Sequence, residues 1–169
     1  MRVQPVCAAK TVPMDHKERK TLPNNEIIAG VITALETVPC VVLPIRGNSM
    51  LPFIIGDVES VELVKPQSVE VGDVVLAWIN GSRYVIHRII SIDGDQIRLM
   101  GDGNLSGDER CKVSDVVAKA EYVVRPNGKR SYLYAPWRVR ASRLWWKLKP
   151  IRRWILAIYR RTILKLRTG

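Results

Sequence analysis

Two hydrophobic patterns follow one another along the chain. From residue 40 to residue 125 apolar positions fall in short β-branched runs broken by turn residues. Beyond residue 131 they recur at helical spacing among Arg and Lys. The run at 40–45, Cys-Val-Val-Leu-Pro-Ile, is short and ends at a Gly-flanked turn, which predicts a buried strand. Residues 58–64 alternate with period two, as a half-buried strand does, and 74–79 form a further apolar run. Asn80-Gly81 then separates that run from a strand at 83–92, and this residue pair suits a two-residue hairpin turn. Asp93-Gly94-Asp95 turns the chain into 96–100, and Gly101 opens a Gly- and Asp-rich loop. Residues 114–117 and 120–125 predict a turn and a last strand. The expected fold is mainly β: a small antiparallel sheet or partly open barrel.

Helices flank this sheet. Ile27, Ile28, Val31 and Leu35 share one stripe, predicting a helix from Glu26 to about Thr37, capped by Asn24 or Asn25 and ended by Pro39. Residues 1–24 lack periodicity and are expected to be a loose arm, with His16 in a solvated charge cluster. In the last segment, Trp137, Leu144, Trp145, Leu148, Ile151, Trp154, Ile155 and Ile158 recur mainly at helical spacing, and Pro150 splits it into two helical pieces. The expected organisation is an arm at 1–24, a sheet body at 25–130 and a basic helical tail at 131–169.

Charge sharpens the contrast between body and tail. The chain carries a formal net charge of +11, from 27 Lys and Arg against 16 Asp and Glu. Eleven of the basic residues, and none of the acidic ones, lie at 131–169, so the body is formally neutral. A basic helix with an aromatic and aliphatic face has the composition of a helix lying in a membrane interface. Trp145, Trp146, Trp154, Ile155 and Ile158, with Arg152 and Arg153, are therefore expected to contact an anionic lipid surface. Packing onto the body or a partner is the alternative. Nucleic acid is less favoured, because a phosphate-tracking arm has no need of a continuous apolar stripe. Arg152, Arg153, Arg160, Arg161 and Lys165 interrupt the segment too often for it to span a bilayer. The apolar window 27–45 contains Glu36 and Pro39 and ends four residues before Ser49, so it too is read as non-spanning.

No secretory signal opens the chain, whose first 25 residues are polar and contain Pro5, Pro13 and Pro23. Cys7, Cys40 and Cys111 are widely spaced and make no metal-ligand pattern. They are read as thiols in a reducing compartment. No cofactor or metal is expected, and the location implied is the cytoplasmic face of a membrane.

The chemistry sits in the turns. Ser49 lies in Arg46-Gly47-Asn48-Ser49-Met50-Leu51-Pro52, at the end of the first strand, and His87 lies inside the strand at 83–92. Asp102 and Asp108 lie in the Gly-rich stretch 101–108. Singly, each has a bland reading: a turn serine, a core or surface histidine, aspartates that cap turns. Together they are the parts of a hydrolase that acylates its own serine. A hydroxyl needs a neighbouring base, imidazole changes charge near neutral pH, and a carboxylate on the far ring nitrogen fixes the tautomer. Backbone N–H groups at Asn48 and Ser49, or the Asn48 side chain, are candidates for holding the oxyanion.

Ser49-Met50-Leu51-Pro52, Gly72-Asp73-Val74-Val75, His87-Arg88 and Gly101-Asp102-Gly103-Asn104, in this order, resemble the boxes of the type I signal peptidase family. The likeness is greatest to the endoplasmic-reticulum and archaeal branch, which has histidine where bacterial leader peptidases and the LexA-type self-cleaving repressors have lysine. The resemblance implies Ser49 as nucleophile, His87 as general base, and Asp108, six residues beyond Asp102, or Asp102 itself as the orienting acid. It further implies an endopeptidase cutting a leader, signal or propeptide after small residues. Departures are the missing spanning helix, Gly47 where a hydroxyl side chain often assists the oxyanion, and the absence of a large insert between the serine and histidine boxes. Two other readings stand beside it: a self-cleaving regulator of LexA type, and a non-enzymatic membrane-docking domain with vestigial boxes.

Overall fold

The computed structural model describes residues 10–11, 24–148 and 150–168. Nine strands form one sheet: β1 (Lys10–Thr11), β2 (Val41–Pro44), β3 (Ser60–Val64), β4 (Val74–Ile79), β5 (Arg83–Asp93), β6 (Gln96–Met100), β7 (Glu109–Lys112), β8 (Val116–Val124) and β9 (Arg130–Tyr132). Their order is β1-β2-β3-β8-β4-β5-β6-β7, with β9 beside β8. Every pairing is antiparallel except the short parallel β1–β2 contact at one end. The mainly β, half-barrel architecture is the one the sequence pattern implies.

The hairpin expected at Asn80-Gly81 is present. Both residues take positive φ, 51° and 65°, a conformation a β-branched residue would resist, but Ile79 pairs with Arg83, so the connection has three residues, 80–82, where two were expected. Strands β4 and β6 have the bounds the apolar runs indicate. Two expectations are corrected. The turn and strand at 114–125 are a 3-10 turn (Val113–Asp115) running directly into one long strand, β8. The helix placed at 26–37 is α1 (Asn24–Ala34), ending three residues earlier and followed by a turn into Pro39. The proposed loose arm lies outside the described residues, apart from β1.

Strand β4 is buried on both faces, which is why its apolar run is continuous instead of alternating. On one face Val74 and Leu76 join Ile28 and Val31 of α1 and Leu35 just beyond it, together with Leu43, Met50 and Leu63. On the other, Val75, Ala77 and Ile79 meet Ile89, Ile97, Leu99, Cys111 and Val116. Cys111 comes from β7, a strand not anticipated from the sequence.

The tail is built into the body. Helices α2 (Pro136–Lys147) and α3 (Arg152–Thr168) are separated at Pro150, as expected. Trp145 and Leu156 then pack with Leu51 and Ile55 in a third core cluster. The boundary placed at residue 130 therefore falls inside the fold: β9 crosses it, Leu133 is in the main core, and the Tyr134 hydroxyl donates to Ala120 O and accepts from Val74 N.

The cysteines also differ from expectation. Cys40 is buried and disulfide-bonded, at the foot of the strand that the N-terminal β1 joins. Cys111 remains a free thiol. Burial, aided by Asp115 and Glu109, pushes its pKa up to about 11, so the reactive thiolate is scarce at neutral pH. Iodoacetamide is expected to leave Cys111 unmodified in the native protein and to alkylate it once guanidinium unfolds the chain, read by intact mass. Rapid native modification would contradict this packing.

Candidate active site

The serine turn is fixed from two sides by backbone that only glycine permits. On the upstream side Asp57 N donates to Ile45 O at 2.7 Å and Gly47 N donates to the Asp57 carboxylate at 3.3 Å. A Cβ on Gly56 would lie 1.7 Å from Gly47 O. On the other side, Gly103 N donates to Ser49 O at 2.7 Å, and a Cβ at Gly101 or Gly103 would stand 2.4 Å from Ser49 O or 2.5 Å from Asn48 O. The Gly101-Asp102-Gly103-Asn104 loop is thus a brace for Ser49. Replacing Gly103 by Ala must displace one backbone or the other. Any reaction that depends on the placement of Ser49 is expected to slow about 100-fold, because displacements of about 1 Å cost that much in a positioned site, with about 1–3 kcal/mol of overpacking loss. Parallel kcat/KM and denaturant measurements check this; unchanged kinetics would refute the brace.

Strand β5 sends its neighbouring side chains to opposite faces. His87 shares a face with Val85 and Ile89, and is only 7% exposed. Its Nδ1 lies 2.6 Å from Glu109 Oε2. Glu109 Oε1 accepts from Arg83, whose side chain is largely exposed, so that pair contributes little stability on its own. Ser49, His87 and Glu109 line one open cavity of about 540 Å³, with Arg46, residues 83–86, Asn104, Gly107 and Asp108.

Neither aspartate named from the sequence sits on the histidine. Asp102 is fully buried and accepts from Arg88 Nε on both carboxylate oxygens, at 2.9 and 3.2 Å, and from a terminal nitrogen at 2.7 Å. Arg88 also donates to Gly72 O at 2.7 Å. Burial disfavours the charged guanidinium, but Asp102 outweighs it through its charge and hydrogen bonds, and the Arg88 pKa rises. Asp108 pairs outward with Arg98 at 2.8 Å, and that hydrogen bond holds its carboxyl below its ordinary pKa. The carboxylate at His87 is Glu109, one residue beyond Asp108. It was missed because 109–112 was not read as a strand. Along β7, Glu109 and Cys111 face inward while Arg110 and Lys112 are exposed. That alternation was the available signal.

The tail residues divide in the same way. Trp145 is buried and donates from Nε1 to Asp102 O at 2.7 Å. Arg152, 1% exposed, donates to Asp102 O and, at 3.1 Å, to Asn104 O. Burial lowers the Arg152 pKa, opposed by Asp102. Both side chains hold the brace loop and are withdrawn from any lipid surface, correcting their expected role. Trp146 is half-buried with Arg152 over its ring, and Ile155 packs beside Trp145 and Leu156. Trp154, Ile158 and Arg153 remain exposed.

A serine and an imidazole that line one cavity, the ring's Nδ1 engaged by a carboxylate, are the parts with which a hydroxyl can pass its proton to a base and attack a carbonyl. No curated protein matches the chain. Residues 8–120, about two thirds of its length, match the family described as Peptidase S24-like, a serine-peptidase group, and the chain belongs to that family.

Proposed function

We propose that this protein is a serine endopeptidase of signal-peptidase type, acting on a leader, signal or propeptide. The observation that carries this reading is the 2.6 Å contact of His87 Nδ1 with Glu109 in the cavity that Ser49 lines. With Nδ1 engaged, Nε2 is the ring nitrogen left for the serine. Ser49 Oγ attacks the peptide carbonyl while His87 takes its proton, and Glu109 stabilises the imidazolium. The tetrahedral adduct collapses as the C–N bond breaks and His87 returns the proton to the departing amine. Water, deprotonated by the same imidazole, then releases the acyl group from Ser49. Backbone N–H groups of the Asn48-Ser49 turn are the candidate donors to the oxyanion.

Sheet register supports an extended substrate. Residues 83–88 of β5 pair with β4, whereas the described ladder to β6 begins only at Arg88. The other edge of residues 83–87 faces the cavity, where a peptide can add as a strand. Preference for small residues before the cut is carried over from the resemblance alone.

A library of leader-like peptides, incubated with the parent, Ser49→Ala and His87→Ala, tests the reading. The parent should cleave, and each variant should lose about 10⁴-fold or more in kcat. Cleavage that survives in Ser49→Ala sinks the proposal. If the chain cuts only itself, the self-cleaving mode of LexA-type proteins replaces the substrate assignment.

A further inference from the structure

We propose that the outward faces of α2 and α3 dock this protein on an anionic lipid surface. Each helix has already spent one face on the body: Trp145 of α2 and Leu156 of α3 are buried against Leu51 and Ile55. The opposite faces ought then to be polar, as on an ordinary surface helix. They are not. Leu144 is 58% exposed, Trp154 61% and Ile151, just ahead of α3, 46%. Ile151 and Trp154 are three positions apart and so share a face, turned away from buried Arg152 and Leu156.

Charge identifies the occupant. Arg140, Arg143 and Lys147 on α2 and Arg153 and Arg161 on α3 are exposed, and no acidic residue follows Glu121. A second copy would bring these cations against their own kind. A nucleic acid would satisfy them but leave the Trp, Leu and Ile side chains without a partner. An anionic bilayer satisfies both, with aromatic and aliphatic side chains in the headgroup layer and the cations on lipid phosphates. No helix among the described residues is long and apolar enough to cross a membrane, so the docking proposed is peripheral.

The full chain is co-sedimented with vesicles of phosphatidylcholine alone and of phosphatidylcholine mixed with phosphatidylglycerol. Two variants accompany it, Leu144→Glu/Trp154→Glu and Lys147→Glu/Arg153→Glu, none of whose positions touches the candidate active site. Binding to the anionic vesicles is expected, much weaker on the zwitterionic ones and declining with salt. Each double variant should lower the partition at least about tenfold, one by putting carboxylates in the headgroup layer in place of apolar side chains and the other by reversing two cations near the lipid phosphates. Thermal melts and vesicle-free peptide cleavage should match the parent. The proposal is overturned if the parent stays in the supernatant with anionic vesicles, or if both variants bind as the parent does. Tighter binding to duplex or single-stranded nucleic acid than to vesicles, or self-association without vesicle binding, also overturns it.

Discussion

Glu109→Gln is expected to lower kcat for peptide cleavage by about 10⁴-fold, while Asp108→Asn changes it by less than about threefold. The first figure follows the loss seen when the carboxylate of a serine-protease triad becomes an amide. The amide preserves the shape but favours the wrong imidazole tautomer and cannot stabilise the imidazolium. Glu109 is placed for that role by its 2.6 Å contact with His87 Nδ1. Asp108 is a solvent-side residue paired with Arg98, and exposed pairs of this kind contribute at most about 1 kcal/mol. Steady-state kinetics on both variants, with melts to confirm folding, check the pair. A large loss in Asp108→Asn with none in Glu109→Gln would reverse the assignment.

Asp102→Ala is expected to cost about 3–5 kcal/mol of folding stability, because it strands the buried Arg88 guanidinium without a counter-charge. For a chain of this size that corresponds to a fall in melting temperature of roughly 6–20 °C. Asp102 has no exposure, its carboxylate is taken up by Arg88, and its backbone carbonyl receives Trp145 and Arg152. Replacing both partners, as Arg88→Met/Asp102→Leu, removes the unpaired charge and should recover most of the loss. A double-mutant cycle by denaturant titration reads the coupling. If Asp102→Ala melts with the parent, the ion pair is not the support described here. If instead the double variant is as unstable as the single, the loss comes from packing and not from a stranded charge.

The same two residues show how far the sequence carried. The central strands were legible because their pattern is local: β-branched runs bounded by Gly-Asp and Asn-Gly turns, each explicable within its own window. Ser49, His87 and their shared neighbourhood were legible for the same reason, since each stands at a recognisable position of a strand or turn. The orienting acid was not, because it depends on register between strands. Alternation along 109–112 turns Glu109 inward, but it does not say which carboxylate reaches His87. What decides it is that β7 pairs Glu109 with Leu99 on β6, which itself pairs Leu99 with Ile89 on β5, so that Glu109 arrives beside the His87 edge.

The tail was half legible. Helical spacing and Pro150 fixed the two helices, but an apolar stripe does not say what covers it. Trp145 and Arg152 turned out to be anchors for the loop under Ser49, whereas Leu144 and Trp154 on the same helices face outward. Arg152 carries the sharpest lesson, since an arginine in a basic amphipathic segment reads as a lipid contact. Two backbone carbonyls that need a donor explain its burial instead.

The measurement closest to the central claim is covalent trapping of the serine. The parent, His87→Ala, Glu109→Gln and Asp108→Asn are treated with a fluorophosphonate, and the adduct is located by peptide mapping in a mass spectrometer. A single adduct on Ser49 is expected, formed quickly in the parent and in Asp108→Asn and hardly at all in the other two. An adduct elsewhere, or one on Ser49 that forms equally fast without His87 and Glu109, would contradict it.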